Sequence, residues 1–335
     1  MTASLEDILN KNRLMVIDGS MSTALENLGA HLNDRLWTAR VLDTAPELVK
    51  QVHINYLRAG ADCGITCSYQ ATIPGLMENG FSLVEAEALI TRSVEVFLEA
   101  REQWWAEEGN ASGRAFPLCL GSVGPYGAYL ADGSEYTGAY DVDDATLLEF
   151  HRRRMELLHR AGADLLLLET QPSLREALLA AGIAEELGAD YWVSFSCRDG
   201  EHTHRGEAME ECAHKLSHNH PHLRMLGVNC TKPEYVPSLI RHLKSAIDLP
   251  IAVYPNSGQE YDPETKTWMT REGQLDFGAW ALTYFREGAA AVGGCCTTVE
   301  SHIEQVVQAR ARYLAMGAPQ PISLRKRRTT DADPD

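Results

Sequence analysis

The chain has 335 residues and a formal net charge of -17, with 30 Lys and Arg against 47 Asp and Glu; 44% of its residues are hydrophobic and 23% are charged. This composition is that of an ordinary globular protein and excludes a disordered chain, a collagen-like repeat and a small disulfide-linked protein. A chain this acidic lacks the basic face that nucleic-acid binding requires. No apolar stretch is long enough to cross a bilayer, and the N-terminal residues do not resemble a signal peptide. We therefore expect a cytoplasmic protein with neither nucleic acid nor membrane as a partner.

Short apolar runs alternate with helical patterns along the chain. The predicted strands cover residues 14–17, 63–69, 118–121, 164–169, 191–196, 225–229, 251–254 and 289–293. The predicted helices cover residues 46–59, 83–107, 146–161, 174–187, 209–217, 236–247 and 275–287. Eight strands that alternate with helices predict parallel βαβ units. Right-handed crossovers around a closed sheet then give an α/β fold, the (β/α)8 TIM barrel.

An open doubly wound sheet is the alternative fold. Against it, no G-x-G-x-x-G motif follows the first strand, and eight units are the number that closes a barrel. The motif A-G-A-D, at 59–62 and 161–164, places a glycine before a strand, as an αβ loop does. No break in composition marks a linker. We expect one barrel domain over 1–322 and a polar, disordered C-terminal tail over 323–335.

Three cysteines follow predicted strands, at the end of the barrel where active sites of this fold lie. Cys230 follows the sixth strand, and the adjacent Cys295 and Cys296 follow the eighth. Adjacent residues can share a metal ion only where the strand breaks into a turn, and we expect Gly293 and Gly294 to provide that freedom. Three converging thiolates suit a zinc ion with an open fourth position, as in catalytic sites. The alternative is that all three are small buried apolar side chains.

Six motifs along the chain resemble those of a known protein family. They are D-G-S-M-S-T at 18–23, a glycine- and tyrosine-rich segment at 121–140, L-L-E-T at 167–170, D-G-E-H-T-H at 199–204, G-V-N-C at 227–230 and G-G-C-C at 293–296. Together they resemble the zinc-dependent homocysteine S-methyltransferases, and the segment 121–140 is most similar to the branch that uses S-methylmethionine. The family usually continues G-G-C-C-R-T-T-P, whereas this chain reads G-G-C-C-T-T-V-E.

The resemblance implies an enzyme that moves a methyl group from S-methylmethionine, and less well from S-adenosylmethionine, to the zinc-bound thiolate of L-homocysteine, forming methionine. It implies that Cys230, Cys295 and Cys296 are catalytic zinc ligands. It also implies that the carboxylates of Asp18 and Glu169 bind the α-amino group of homocysteine. The alternative role of these carboxylates is to accept hydrogen bonds from loop N–H groups. Zinc would remove the proton of a thiol whose pKa is otherwise about 8.5.

Two further residues are predicted to bind substrate. Asn229, next to Cys230, orients the site, covers the open metal position or has a purely structural role. Tyr126 lies in segment 121–140, where tyrosine faces suit a sulfonium. The alternative is a loop that is packed over the barrel mouth by its own tyrosines. Six histidines between 202 and 222 are interpreted as a solvated loop rather than a second metal site.

Two alternative functions stay open at this point. One is the same acceptor with betaine or a methylfolate as the donor, and the other is a zinc-binding barrel without turnover. Asp18 and Glu169 argue against the second, because zinc storage needs no groups that bind an amino acid. The chain is too short for folate and cobalamin modules and lacks the long C-terminal extension of the betaine-using branch. We expect only small-molecule partners, homocysteine and a sulfonium donor, and a monomer.

Overall fold

The computed structural model describes residues 3–32, 36–258 and 276–317, together with the backbone of 260–262 and 267–269. Eight parallel strands form one sheet. They are β1 (Met15–Val16), β2 (Cys63–Ile65), β3 (Leu118–Val123), β4 (Leu165–Gln171), β5 (Tyr191–Phe195), β6 (Leu223–Asn229), β7 (Ile251–Tyr254) and β10 (Ala291–Val292). Two short strands, β8 (Glu260–Asp262) and β9 (Thr267–Met269), pair as an antiparallel hairpin between β7 and β10.

Helices follow the strands and cover the outside of the sheet. They are α1 (Leu5–Asn12), α2 (Met21–Asn27), α3 (Thr38–Thr44), α4 (Pro46–Ala59), α5 (Ile73–Glu78), α6 (Leu83–Glu107), α7 (Tyr126–Leu130), α8 (Asp144–Arg160), α9 (Leu174–Leu187), α10 (Met209–Ser217), α11 (Val236–Ala246), α12 (Phe277–Glu287) and α13 (Glu300–Ala315). Three 3-10 turns lie at Gly109–Ala111, Ser134–Tyr136 and Pro233–Tyr235. The predicted bounds of α4, α6, α9 and α10 agree with the observed ones. Capping residues such as Ser82, Ser173 and Gly188 mark several of these ends.

The strand order is β1-β10-β7-β6-β5-β4-β3-β2, so sequential strands are neighbours all the way around the sheet. The parallel ladder is open only between β1 and β2. There the Asp62 N–H donates to the Val16 carbonyl at 2.7 Å, and side-chain carboxylates bridge the same seam. The single-domain (β/α)8 barrel is thus confirmed, and the doubly wound alternative is wrong.

Two apolar layers result from the alternation of side chains along the strands. On β3, Leu118 and Leu120 point into the barrel, whereas Cys119 and Val123 pack against the outer helices. Helix α1, which the sequence did not predict, adds its buried face to the interior cluster through residues such as Ile8. This helix closes the N-terminal end of the barrel, and the C-terminal end remains for chemistry.

Two sequence predictions concern parts outside the described residues. The predicted tail at 323–335 lies there, as does the end of the predicted 1–322 domain. Within the described part, no helix combines the length and the apolarity that a membrane span needs.

Candidate metal and substrate site

A cavity of about 530 Å³ opens at the C-terminal ends of the strands. Its volume lies within the range of ~300–1,000 Å³ that is usual for small-molecule sites. Residues at or after the ends of β1, β2, β3, β4, β6, β7 and β10 line it, among them Glu169 of β4 and all three predicted metal ligands. The cavity therefore lies where the barrel fold predicts an active site.

The three thiols converge on one point of this cavity. The Sγ atoms of Cys230, Cys295 and Cys296 all lie within 4.8 Å of one another, and those of Cys230 and Cys296 are 3.7 Å apart. Zn–S bonds of about 2.3 Å in a tetrahedral site place two sulfurs ~3.8 Å apart, so these residues fit a zinc ion. Among the described residues this is the only convergence of three His, Cys, Asp or Glu side chains, and the histidines of 202–222 form none.

Turns, rather than regular strands, present the three thiols. Strand β6 ends at Asn229, and Cys230 follows with a left-handed φ of 46°. Strand β10 ends at Val292, and the two adjacent cysteines lie in the turn that follows, where the Cys295 N–H donates to the Pro255 carbonyl at 2.7 Å. The strand therefore breaks before the paired cysteines, as their shared orientation requires.

Gly293 and Gly294 are needed for a reason that the sequence did not predict. Neither has a positive φ. A Cβ on Gly293 would lie 2.7 Å from the Ile17 carbonyl oxygen, and one on Gly294 would lie 2.6 Å from the Thr298 Cβ. Close packing, not conformational freedom, excludes side chains here. The left-handed residue of the turn is Thr297, with φ of 64°; it stands where the family has arginine and hydrogen-bonds Ser257.

Asn229 lies behind the thiols and is fully buried. Its Oδ1 accepts a hydrogen bond from the Thr170 N–H, and its Nδ2 donates to the Thr170 hydroxyl, both at 2.8 Å. Nδ2 also lies 3.9 Å from the Cys295 Sγ. Thr170 itself has a left-handed φ of 56°. Of the predicted roles, these contacts favour the orientation of Cys295 and of the end of β4.

Glu169 is a buried carboxylate that reaches the cavity from β4. Its Oε1 accepts a hydrogen bond from the Ser122 hydroxyl, and its Oε2 accepts one from the Tyr254 hydroxyl at 3.3 Å. Burial raises the pKa of Glu169 to about 7, although the two hydroxyl donors oppose this shift. The Ser122 and Tyr254 hydroxyls thus orient the carboxylate, and no Lys, Arg or His of the described residues forms an ion pair with it.

Asp18 is the second buried carboxylate and lies at the end of β1. Its Oδ2 accepts a hydrogen bond from the Ile65 N–H at 2.8 Å, whereas its buried Oδ1 has no partner. Burial raises the pKa of Asp18 well above its usual range, and the charge of Glu169 adds to this shift. Two carboxylates that disfavour each other's charge create a place where an ammonium group would be stabilised.

The structure does not bring Tyr126 to the cavity. Its ring packs against Tyr129, Tyr140 and Phe150, with centroid distances of 5.5, 5.4 and 4.9 Å, and it is not among the residues that line the cavity. This placement agrees with the alternative of a loop packed by its own tyrosines and gives no support to a substrate contact. Tyr136, from the same segment, lines the cavity instead.

The lining also includes residues that were not predicted as site residues, among them Trp37, Tyr69, Glu135 and Tyr136. Tyr69 carried a signal, since it follows a predicted strand end, and the 121–140 motif contains Glu135 and Tyr136. Trp37 lies between β1 and α4, where no motif marked it.

The three thiols shift one another's pKa values in opposite directions, upward for Cys230 and Cys295 and downward for Cys296. Hydrogen bonds from Cys230 and Cys295, and a further one from Tyr136, lower the pKa of the Cys296 thiol. Nearby thiolate charge, chiefly that of Cys230, together with burial, keeps the pKa of Tyr136 raised. The phenol therefore stays protonated and remains a donor to the cluster.

Comparison with known proteins decides the family. The family model described as homocysteine S-methyltransferase matches residues 15–310. Homocysteine S-methyltransferase YbgG of Bacillus subtilis (strain 168) is 47% identical over 303 residues, which cover 90% of this chain and 96% of that protein. The chain belongs to the homocysteine S-methyltransferase family.

Other members of this homocysteine S-methyltransferase family agree with that assignment. Homocysteine S-methyltransferase 1 of Arabidopsis thaliana is 41% identical over 314 residues, covering 91% of this chain and 96% of its own length. The metallated form of the homocysteine methyltransferase MmuM from Escherichia coli matches with a TM-score of 0.82 and 40% identity, covering 92% of this chain and 99% of that one. The predicted family is confirmed, and the protein is a methyltransferase rather than a barrel without turnover.

Proposed function

We propose that the protein transfers a methyl group from S-methylmethionine to the thiol of L-homocysteine, which forms methionine, and that a zinc ion is held by Cys230, Cys295 and Cys296. The convergence of the three Sγ atoms within 4.8 Å of one another carries this proposal. Glu169 lines the same cavity, and Asp18 is buried next to the lining residues Gly19 and Ser20. Homocysteine has the two groups that such a site would recognise, a thiol and an α-ammonium.

The zinc ligands would set the charge of the metal site. When bound, zinc would supply the Lewis acidity that turns a substrate thiol into a thiolate at neutral pH. Three cysteine thiolates give the site a net charge of -1, which keeps sulfur electron-rich, whereas three neutral histidines would reduce its nucleophilicity. Asn229 would hold Cys295 in place from behind, through the contacts described above.

The carboxylates would bind the acceptor. Glu169, held by Ser122 and Tyr254, and Asp18, with its unpartnered Oδ1, would together bind the ammonium of homocysteine. An ammonium beside these groups favours their ionised forms, so binding would reverse the upward shift that burial imposes on each pKa. The interaction would be strong because both carboxylates are buried.

The donor would lie against the aromatic lining of the cavity. Tyr136, Tyr69 and Trp37 line it, and aromatic faces attract a sulfonium. Methyl transfer from a sulfonium to a thiolate neutralises both charges, which a cavity that excludes water assists. The leaving group is a neutral thioether, so no general acid is needed, and the remaining task is in-line positioning. The adenosyl group of S-adenosylmethionine would need additional room and contacts.

A methyl-transfer assay with each donor supplied separately tests the reaction. We expect methionine from homocysteine and S-methylmethionine, with slower turnover of S-adenosylmethionine. Turnover with betaine or methyltetrahydrofolate, but none with S-methylmethionine, would contradict the donor assignment.

Metal analysis tests the zinc site. We expect about one zinc per chain in the wild type and loss of both zinc and activity in Cys230→Ser, Cys295→Ser or Cys296→Ser. Cys212→Ala is the matched control, because Cys212 is a buried cysteine of α10 that does not line the cavity. Full zinc occupancy in a Cys230→Ala/Cys296→Ala variant would contradict the assignment.

A further inference from the structure

Glu135 is the third carboxylate described at this end of the barrel and, with Glu169, lines the cavity; neither the metal site nor the homocysteine site described above uses it. It lines the cavity from the turn Ser134–Tyr136, in the connection between β3 and α8. Its Oε2 is buried and has no hydrogen-bond partner. Within the described residues, no Lys, Arg or His forms an ion pair with it. Its negative charge is thus uncompensated by the protein.

The turn that carries Glu135 is held firmly against α7. A Cβ on Gly127 would overlap the Glu135 backbone nitrogen and lie 2.6 Å from the Ser134 carbonyl carbon. The Asp132 carboxylate accepts hydrogen bonds from the Ser134 N–H, at 2.9 Å, and from the Ser134 hydroxyl. The next residue, Tyr136, packs its ring against His204, at a centroid distance of 5.8 Å. Glu135 is therefore a fixed part of the cavity wall.

The acceptor does not account for this third carboxylate. Homocysteine has one ammonium group, and Asp18 and Glu169 already serve it. Those two residues reach the site from β1 and β4, whereas Glu135 belongs to the loop that also contributes the cavity-lining Tyr136. Glu135 is half-buried and its Oε2 has no partner among the described residues, so the carboxylate is incompletely solvated and a cationic ligand would recover the free energy that this costs. The second substrate of the reaction is the remaining candidate for that cation.

We infer that Glu135 recognises the positive charge of the methyl donor and so makes the site selective for cationic donors. This inference rests on the proposed function and goes further, since it names the residue that selects the donor class. S-methylmethionine carries both a sulfonium and an ammonium, whereas a methylfolate is anionic and would be repelled. Tyr136 supplies an aromatic face next to this charge.

Steady-state kinetics of Glu135→Gln test the inference. Losing a charge-assisted contact raises the KM for S-methylmethionine by about tenfold or more, while the KM for homocysteine and the zinc content stay within twofold of the wild type. Calorimetric titration of the enzyme with S-methylmethionine alone shows the same loss without turnover. Asp141→Asn is the matched control, because Asp141 is an exposed carboxylate of the same connection.

The outcomes separate this inference from the proposed function. A wild type that forms no methionine from S-methylmethionine contradicts the proposed function. An active wild type whose donor KM is unchanged in Glu135→Gln, or whose homocysteine KM rises instead, overturns the inference alone. Trimethylsulfonium, used as a competitive inhibitor, locates the contact: weaker inhibition of Glu135→Gln places the carboxylate at the sulfonium, and a loss confined to S-methylmethionine places it at the ammonium.

A glycine pair provides an independent test. Gly127→Ala would push the turn of Glu135 out of the cavity, so the donor KM should rise while the homocysteine KM does not. Gly182→Ala in α9 is the control, because a Cβ there meets no atom within 4 Å. If Gly127→Ala folds and retains the donor KM of the wild type, the placement of Glu135 does not govern donor binding and the inference is wrong.

Discussion

Two aspartates close the same seam of the barrel from opposite ends. Asp62, just before β2, accepts a hydrogen bond from the Val16 N–H at 2.8 Å, and Asp18, just after β1, accepts one from the Ile65 N–H at 2.8 Å. Each is 1% exposed. They thus perform the same backbone task, the bridging of β1 and β2 where the ladder is open.

Their remaining contacts differ completely. Asp62 also accepts hydrogen bonds from Arg310 at 2.6 Å, Asn12 at 2.9 Å and Arg114 at 3.5 Å. Asp18 has no such ion pair among the described residues, and its Oδ1 lacks any partner. At equal burial, we expect the carboxylate whose bonds are completed within the fold to be structural and the one left incomplete to bind a ligand. The predictions below test this contrast.

The largest expected effect is on stability, from Asp62→Asn. Removing the charge would leave Arg310 and Arg114 largely buried without their anion, which costs about 3 kcal/mol. Urea unfolding at neutral pH measures the loss, with Asp141→Asn as an exposed control. An unfolding free energy within 0.5 kcal/mol of the wild type would show that this cluster is not needed for the seam.

Asp18→Asn should weaken homocysteine binding without lowering the stability of the protein. The amide oxygen can still accept the Ile65 N–H, and the buried charge is gone, so the free energy of unfolding should be unchanged or higher. Homocysteine binding should weaken by about 2 kcal/mol, or roughly 30-fold, because its ammonium loses a charged partner. Calorimetry with homocysteine, alongside metal analysis showing retained zinc, checks this. Wild-type affinity together with lower stability would assign Asp18 a structural role like that of Asp62.

Much of the fold was predictable because its signals are local. Strand and helix periods, together with the glycines that precede strands, place the predicted elements within a few residues of their observed bounds. Helix α1 was missed because it precedes the first βαβ unit, and its eight residues acquire their function only by packing under a closed barrel. The hairpin of β8 and β9 interrupts the repeat and also carried no recognised signal.

The site was predictable where a strand end determines position and unpredictable where a loop does. The cysteines and Glu169 follow strands, so the barrel alone brings them together. Tyr126 and Tyr136 both lie in one glycine-rich segment, and their sequence gives no reason to prefer either. The close approach of the turn Ser134–Tyr136 to Gly127 decides which one reaches the cavity, and that contact exists only in the folded protein.

The pH dependence of ammonium binding should follow Glu169. With a pKa of about 7, this carboxylate goes from about one-tenth ionised at pH 6 to about nine-tenths at pH 8. Affinity for an amino acid without a thiol, such as L-2-aminobutyrate, should therefore rise about tenfold over that range. Such a ligand avoids the separate titration of the substrate thiol. Glu169→Gln should remove the rise; an equal rise in that variant would assign the titration to another group.

Glu169 should lower the free energy of unfolding as pH rises, although it strengthens ammonium binding over the same range. The pKa of Glu169 is raised in the folded protein, so its contribution to stability is fully present below the unfolded value of about 4.5 and is lost as pH rises through 7. Glu169→Gln should flatten this part of the profile of unfolding free energy against pH. The same carboxylate would then favour binding and oppose folding over one pH range, which is the behaviour expected of a group whose partner is a ligand.

The smallest expected effects are those of substituting Tyr126 and Tyr136, which differ in the same way as Asp62 and Asp18. Tyr126 makes its ring contacts within the loop, so Tyr126→Phe preserves them and should change the unfolding free energy by less than about 0.5 kcal/mol. Tyr136→Phe removes the hydroxyl that helps to lower the pKa of the Cys296 thiol, and it should lower kcat/KM for S-methylmethionine about fivefold, which corresponds to roughly 1 kcal/mol. Urea unfolding of Tyr126→Phe checks the first value, and steady-state kinetics of both variants check the second. If Tyr126→Phe has the larger effect on kcat/KM, side chains of this loop whose contacts all lie within the fold are not separated from those that contact substrate.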